Sequence, residues 1–150
     1  MIHEAELRRV ALFQGLDDRT IDMLSSAFSL TDLRASEVLF EAGAPATDAW
    51  VVLSGDILLE VGDDEPEPLA TMRRGDLVGA VSLVDGGDHL SRARAGETGA
   101  RLARLPLAEF ARILDRPNEL SWRLMETVTR RLVHRLREAT SMLKDVPAGP

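Results

Sequence analysis

The chain has 150 residues, of which 45% are hydrophobic and 29% are charged, the composition of a globular protein with a single core. Its formal net charge of −7 argues against a nucleic-acid partner, and the absence of cysteine excludes disulfides and thiolate-held metals. No stretch is apolar for long enough to span a membrane and the N-terminus carries no signal-peptide pattern, so we expect a cytoplasmic protein that does not bind membranes.

The N-terminal segment has the apolar spacing of helices. Glu4 to Leu12 place their apolar residues on one face, and Gly15 interrupts the pattern. Asp17 or Asp18 is positioned to cap a second helix that continues to Phe28. The sequence therefore predicts N-terminal helices over residues 4–28.

From Leu30 to about Leu105 the pattern changes to short strands separated by turn residues. The segment 54–56 (Ser-Gly-Asp) predicts a tight turn between strands 50–53 and 57–61. Residues 62–68 contain two prolines and are expected to form a loop. Many short strands at this spacing predict a sandwich or jelly roll over residues 30–105.

The C-terminal part again has helical character. Pro106 suits the first turn of a helix, and Pro117-Asn118 begins a long segment without glycine or proline before Pro147. We expect helices over residues 106–145 and a disordered tail at 146–150. Residues 1–145 then form one domain.

The long C-terminal helix carries a pattern that is typical of a coiled coil. From Leu132 onward its apolar residues are spaced alternately by four and three, as in the contact seam of paired helices. The predicted dimer seam consists of Leu132, Leu136, Ala139 and Leu143. The alternative is that this stripe packs on the domain's own core.

Residues 78–95 (VGAVSLVDGGDHLSRARA) resemble the phosphate-binding cassette of the cyclic nucleotide-binding domain family in their glycines and apolar residues. Segments 37–43, 50–55 and 73–76 are similar to further landmarks of that family, in the same order. The resemblance spans about residues 12–137. It implies an α+β fold, namely a cyclic-nucleotide-binding-type β-jelly-roll barrel flanked by N-terminal helices and a long C-terminal helix.

Two ligand positions of the cassette depart from the family pattern. Ala80 stands where the family has the Glu that holds the ribose hydroxyl, and His89 stands where it has the Arg that holds the cyclic phosphate. At about 1.5–3 kcal/mol per charge-assisted hydrogen bond, each loss weakens affinity roughly 10- to 150-fold. The candidate ligand-binding residues are Val78, Gly79, Ala80, Val81, Ser82, Asp88, His89, Leu90, Ser91 and Arg92.

Two alternatives for ligand contacts remain open. A shifted register would let Arg92 replace the missing Arg, although the spacing of Arg94 and the following strand fits the family without a shift. Trp122 on the long helix is a candidate for stacking on a purine, whereas Trp50 is expected to fill the sheet interior.

The residue inventory argues against catalysis. The three histidines, His3, His89 and His134, cannot assemble the metal site of a cupin-type enzyme. We therefore predict a non-catalytic regulatory or interaction module without metal or cofactor, with weakened or lost binding of cAMP and cGMP. Its expected partners are a second copy through the C-terminal helix and a separate effector protein, since no helix-turn-helix segment follows. The alternative is a working sensor of a cyclic nucleotide or another small ligand.

Overall fold

The computed structural model describes residues 2–144, together with the side chains as far as residue 137 and those of residues 140 and 141. The predicted tail, 146–150, lies outside the described residues.

The N-terminal segment forms helix α1 (Glu4–Arg8), a 3₁₀ turn (Ala11–Phe13) and helix α2 (Asp18–Ala27). The Asp17 carboxylate caps α2 by accepting a hydrogen bond from the Thr20 backbone N–H at 2.8 Å. The predicted helical character is confirmed. The expected single helix 4–12 is wrong, because Val10 adopts an extended conformation between α1 and the 3₁₀ turn.

Six strands form one antiparallel sheet in which β6 is central. The strands are β1 (Ser29–Leu33), β2 (Val38–Phe40), β3 (Asp48–Val61), β4 (Glu67–Met72), β5 (Leu77–Val78) and β6 (Arg92–Pro106). Their order is β1-β6-β3-β4, with β2 also paired to β6 and β5 to β3. β4 begins earlier than expected and includes Pro68, which an edge strand tolerates.

The predicted tight turn at residues 54–56 is wrong, because β3 runs through it as a single 14-residue strand. Register shifts against β6 lie on both sides of Gly55 and bend β3 there. Gly55 has φ +74°, and a Cβ on it would lie 2.1 Å from the Gly99 carbonyl oxygen. The glycine therefore bends the strand and permits the close approach of β6, instead of ending the strand.

The predicted α+β fold is confirmed, whereas closure into a barrel is not. Within residues 2–144 no ladder joins the edge strands β1 and β4, so the sheet curls without closing. The bends in β3 and β6 wrap the sheet around an interior cluster that includes Trp50, Ile57 and Leu102. Trp50 is buried in this interior, as predicted.

The remaining helices are α3 (Ala80–Asp85), α4 (Leu107–Leu114) and α5 (Glu119–Lys144). Asn118 starts α5, since its side-chain oxygen accepts a hydrogen bond from the Ser121 backbone N–H at 2.9 Å. Leu120, Leu124 and Val128 are each only 2% exposed, so the first half of α5 packs on the core. None of the helices described in residues 2–144 has the length and apolar character needed to cross a bilayer.

Candidate functional site

A cavity of about 580 Å³ lies between the curled sheet, α3 and α5. Its volume is within the usual range of small-molecule sites. Eight of the ten candidate residues line it, all except Asp88 and Arg92. The structure therefore brings most of the predicted cassette to one cavity.

Two glycines in left-handed conformations set the position of α3. Gly79 (φ +82°) precedes the helix and Gly86 (φ +74°) follows it. A Cβ on Gly79 would lie 3.2 Å from the Trp50 ring and 3.3 Å from His89 Cε1. The absence of a side chain at Gly79 therefore lets the start of α3 lie directly against these two rings.

His89 is part of the packed interior beside the cavity. The residue is 4% exposed, and its ring stacks on Phe40 with centroids 3.6 Å apart and planes 10° from parallel. Its backbone is held by β-type hydrogen bonds, in which Gly43 N–H donates to His89 O at 2.7 Å and His89 N–H donates to Ala44 O at 2.9 Å. These contacts fix the ring in place.

The charge state of His89 follows from this environment. Burial lowers the pKa of His89 below its ordinary value, and the neighbouring Asp88 carboxylate opposes that shift to a smaller extent. The imidazole is therefore neutral at neutral pH. An uncharged, stacked ring lies where the family resemblance places a phosphate-binding guanidinium.

Ala80, the other altered position, is the first residue of α3 and is 3% exposed. Its methyl group belongs to the buried cluster that also contains Leu83 and Val128. A methyl group neither donates nor accepts hydrogen bonds. This side of the cavity therefore has no side-chain acceptor for a sugar hydroxyl at position 80.

Arg92 does not line the cavity. Ala93 is fully buried in the interior cluster, and side chains alternate along a strand, so Arg92 and Arg94 lie on the opposite face of β6. There Arg94 donates to the carboxylate of Glu60, and Arg92 Nη2 lies 3.9 Å from Glu60 Oε1. Glu60 is 7% exposed. This placement disfavours the shifted register, because the Arg92 guanidinium lies beside a buried carboxylate outside the cavity.

The cationic lining of the cavity comes from α5, and the sequence reasoning missed it. The charged lining residues, apart from histidines, are Asp76, Arg123, Glu126, Arg130, Arg131 and Arg135. The run of basic residues near the C-terminus was visible in the sequence. Periodicity alone could not assign which of them face the sheet, because apolar residues occupy two faces of α5.

The second apolar face of α5 is exposed and forms a stripe of residues spaced alternately by three and four. This outer stripe consists of Trp122, Met125, Thr129, Leu132 and Leu136. Trp122 is 71% exposed and Leu136 66% exposed. Trp122 borders a surface groove and does not line the cavity, which disfavours the purine-stacking alternative.

The outer stripe contains the two described members of the predicted seam, Leu132 and Leu136. The side chains of Ala139 and Leu143 lie outside the described part of the chain. The outer stripe extends the spacing of these two residues toward the start of α5, as far as Trp122. The sequence analysis missed the earlier positions of this exposed stripe because the buried residues of the first half of α5 interleave with them.

No cluster of three or more potential metal-ligating side chains (His, Cys, Asp or Glu) occurs among the described residues.

Comparison with known proteins identifies the domain. Residues 30–117 match the family model of the cyclic nucleotide-binding domain. The CRP-like cAMP-activated global transcriptional regulator of Mycobacterium tuberculosis is 27% identical over 128 residues, 84% of this chain and 57% of that protein.

Solved structures share the fold. A putative cyclic nucleotide-binding protein from Geobacter metallireducens has a TM-score of 0.73 at 21% identity, over 91% of this chain and 99% of that one. The Thermus thermophilus catabolite activator protein has a TM-score of 0.71 at 25% identity, over 89% of this chain and 61% of that one. The family match covers more than half of the sequence, and the chain belongs to the cyclic nucleotide-binding domain family. It spans little more than half the length of the mycobacterial regulator.

Proposed function

We propose that this cyclic nucleotide-binding domain is a non-catalytic regulatory and interaction module in which tight binding of cAMP and cGMP is weakened or lost. The observation that carries the proposal is the neutral His89 ring, stacked at 3.6 Å on Phe40 in the sheet interior. A cyclic phosphate carries a negative charge, which is costly to bury without a cationic partner. A buried neutral imidazole does not supply that partner.

Ala80 supports the same conclusion from the sugar side of the ligand. Its buried methyl group cannot accept a hydrogen bond from a ribose hydroxyl. The two missing charge-assisted hydrogen bonds together correspond to a loss of roughly a hundredfold to ten-thousandfold in affinity. Backbone N–H groups at the start of α3 remain, so weak binding is compatible with the proposal.

The outer stripe of α5 supports a homodimer. Five positions spaced by three and four span two heptads, and exposed Trp122 and Leu136 are costly to leave in water. A second copy of α5 presents the same stripe and covers it symmetrically. We propose that the dimer in turn acts on a separate effector protein in the cytoplasm.

We propose that nucleic acid is not a partner of these residues. The formal net charge of the chain is −7. An acidic domain repels the phosphate backbone. We propose that any regulatory output of these residues passes through protein contacts.

The cavity supports a second candidate function, a sensor of a small ligand. At about 580 Å³ it is large enough for a metabolite, and α5 closes one side of it. A bound ligand would contact α5 on the face opposite to its exposed side. Binding and dimerisation would then act on the same helix.

The primary test is calorimetric titration with cAMP and with cGMP at pH 6 and pH 8. We expect dissociation constants weaker than about 100 μM at both values, because burial lowers the pKa of His89 and so disfavours its protonated form. Micromolar binding at both values would refute the weakened-receptor proposal in favour of a nucleotide sensor. Tight binding at pH 6 alone would show that protonated His89 replaces the missing Arg.

A further inference from the structure

The fixed charge of the cavity is unevenly distributed. Four arginines and two carboxylates line it, although the whole chain carries a net charge of −7. All four arginines belong to α5, and the cassette contributes only neutral residues to the lining. The cavity is thus locally cationic on its helix wall and uncharged at its cassette end.

The arginines on this wall differ in the hydrogen bonds and ion pairs that they already make. Arg123 donates to Glu119 at 3.0 Å and to the Leu12 carbonyl at 3.1 Å, which ties α5 to the N-terminal turn. Arg130 forms an ion pair with Glu126 one helical turn away. Arg135 is half-buried, and no carboxylate among the described side chains pairs with it. Arg131 also has an interaction partner, so Arg135 is the best-placed cation for an incoming anion.

The position of Arg135 along α5 separates this charge from the cassette. Val128 belongs to the same buried cluster as Ala80, whereas Arg135 is the most C-terminal residue of α5 that lines the cavity. Arg135 follows Val128 by seven residues, which is about 10 Å along a helix axis. An anion held at Arg135 would thus lie about two helical turns beyond Val128.

Between these two ends the floor of the cavity is apolar. The sheet contributes Phe40, Leu59, Leu69, Met72 and Val78 to the lining. A hydrocarbon or aromatic body of a ligand gains about 25 cal/mol for each Å² of apolar surface removed from water here. A ribose ring with several hydroxyls would leave its polar groups unpaired against the same floor.

We propose that the cavity binds an amphipathic organic monoanion, with its acidic group at Arg135 on α5 and its apolar body against the sheet. The ligand class is a carboxylate or sulfonate with an aromatic or aliphatic body. The negative charge of the bound ligand lies at the opposite end of the cavity from the cassette. The proposal rests on the proposed function, because it requires that the cassette no longer holds a phosphate.

The test uses a matched pair of probes, naphthaleneacetate and naphthaleneacetamide, which share the aromatic body and differ in charge. Calorimetric titration of the full chain should show the acid binding about tenfold or more tightly than the amide. Arg135→Gln should remove this preference by weakening the acid and leaving the amide unchanged. Arg137→Gln is the matched control, because Arg137 borders the surface groove beside Trp122 and does not line the cavity.

A second variant locates the site independently of charge. Thr71 is exposed on β4 and lines the cavity, so Thr71→Trp narrows the cavity without disturbing the core. It should weaken both probes at least fivefold, with an unchanged unfolding temperature. Unaltered binding in this variant, equal affinity for acid and amide, or equal losses in Arg135→Gln and Arg137→Gln would each overturn the proposal.

Titration with cAMP on the same samples separates the two proposals. Tight cAMP binding that survives Arg135→Gln would refute the proposed function and, with it, this orientation of the ligand. Absent binding of both cAMP and the probe acid by folded protein would overturn the further inference alone.

Discussion

Restoring the two altered cassette positions should restore cyclic-nucleotide binding. The double variant Ala80→Glu with His89→Arg returns an acceptor for the ribose hydroxyl and a cation for the phosphate. Each restored charge-assisted hydrogen bond contributes about 1.5–3 kcal/mol, so together they correspond to a gain of roughly a hundredfold or more in affinity. Both positions line the cavity, which places the new groups where a ligand would lie.

The same substitutions should destabilise the free protein. His89→Arg removes a ring stacked on Phe40, an interaction of about 1 kcal/mol. It also places a charge at a position that is 4% exposed, which costs about 3 kcal/mol when no partner is present. Ligand at a hundred times its dissociation constant returns about 2.7 kcal/mol. Without ligand, the double variant should therefore unfold at a lower temperature than the wild type, and cAMP should restore most of the difference in unfolding temperature.

Calorimetry and thermal unfolding, each with and without cAMP, measure both effects. Asp88→Arg is the matched control, because it adds a cation at the neighbouring exposed position outside the cavity lining. A folded double variant that binds cAMP no better than Asp88→Arg would refute the assignment of Ala80 and His89 to the two ligand positions.

Three further predictions concern stability and assembly. Glu60→Gln should lower the free energy of unfolding by about 2 kcal/mol in urea denaturation, because it leaves two half-buried arginines without their carboxylate. The control variant Glu65→Gln, in the exposed loop, should change the free energy of unfolding little. Burial lowers the pKa of His89, so its contribution to stability is complete above its unfolded pKa of about 6.5 and is lost as pH falls below that value. His89→Phe should flatten this pH dependence of the unfolding free energy, whose slope is at most about 1.4 kcal/mol per pH unit. An unchanged loss of stability at acid pH in the variant would contradict this prediction. Leu136→Glu should convert the dimer to a monomer in sedimentation velocity without loss of helicity. Ser141→Glu, which lies about 140° away around α5, should leave the dimer intact. A wild-type protein that is monomeric at about 100 μM would refute the proposed dimer seam.

The ion pair of Glu60 explains why Arg92 and Arg94 are partly buried on the outer face of β6. Register pairs Glu60 with Arg92, and Arg94 follows two residues later on the same face. Arg94 Nε donates a hydrogen bond to this carboxylate, whereas Arg92 Nε is buried without a hydrogen-bond partner among the described atoms. This cluster therefore contributes to the β3–β6 pairing, and neither of its two guanidinium groups lines the cavity.

Local sequence patterns were sufficient to predict features that depend only on neighbouring residues, such as helix starts. Asp17 and Asn118 predict helix starts because a short polar side chain can satisfy free backbone N–H groups wherever the chain continues as a helix. The glycines of 78–95 carry the resemblance to the family cassette, and Gly79 adopts a left-handed conformation that other residues avoid. The family and fold class follow from these segments and their order.

Only the tertiary structure decided whether a glycine ends a strand or bends it. The segment 54–56 has the composition of a turn, yet Gly55 lies within β3 because Gly99 on β6 approaches it closely. That contact joins residues far apart in the chain, and no local pattern contains it. For the same reason the sequence did not reveal that the curled sheet stays open between β1 and β4 in the described residues.

The chemistry of the site was divided in the same way. The sequence by itself determined that positions 80 and 89 lack a carboxylate and a guanidinium, because these are facts of residue identity. The tertiary structure decided that His89 is neutral and stacked on Phe40, that Arg92 faces Glu60, and that the arginines of α5 line the cavity. Burial and partner choice depend on which surfaces meet after folding, and a periodic pattern along one helix cannot state which of its faces meets the sheet.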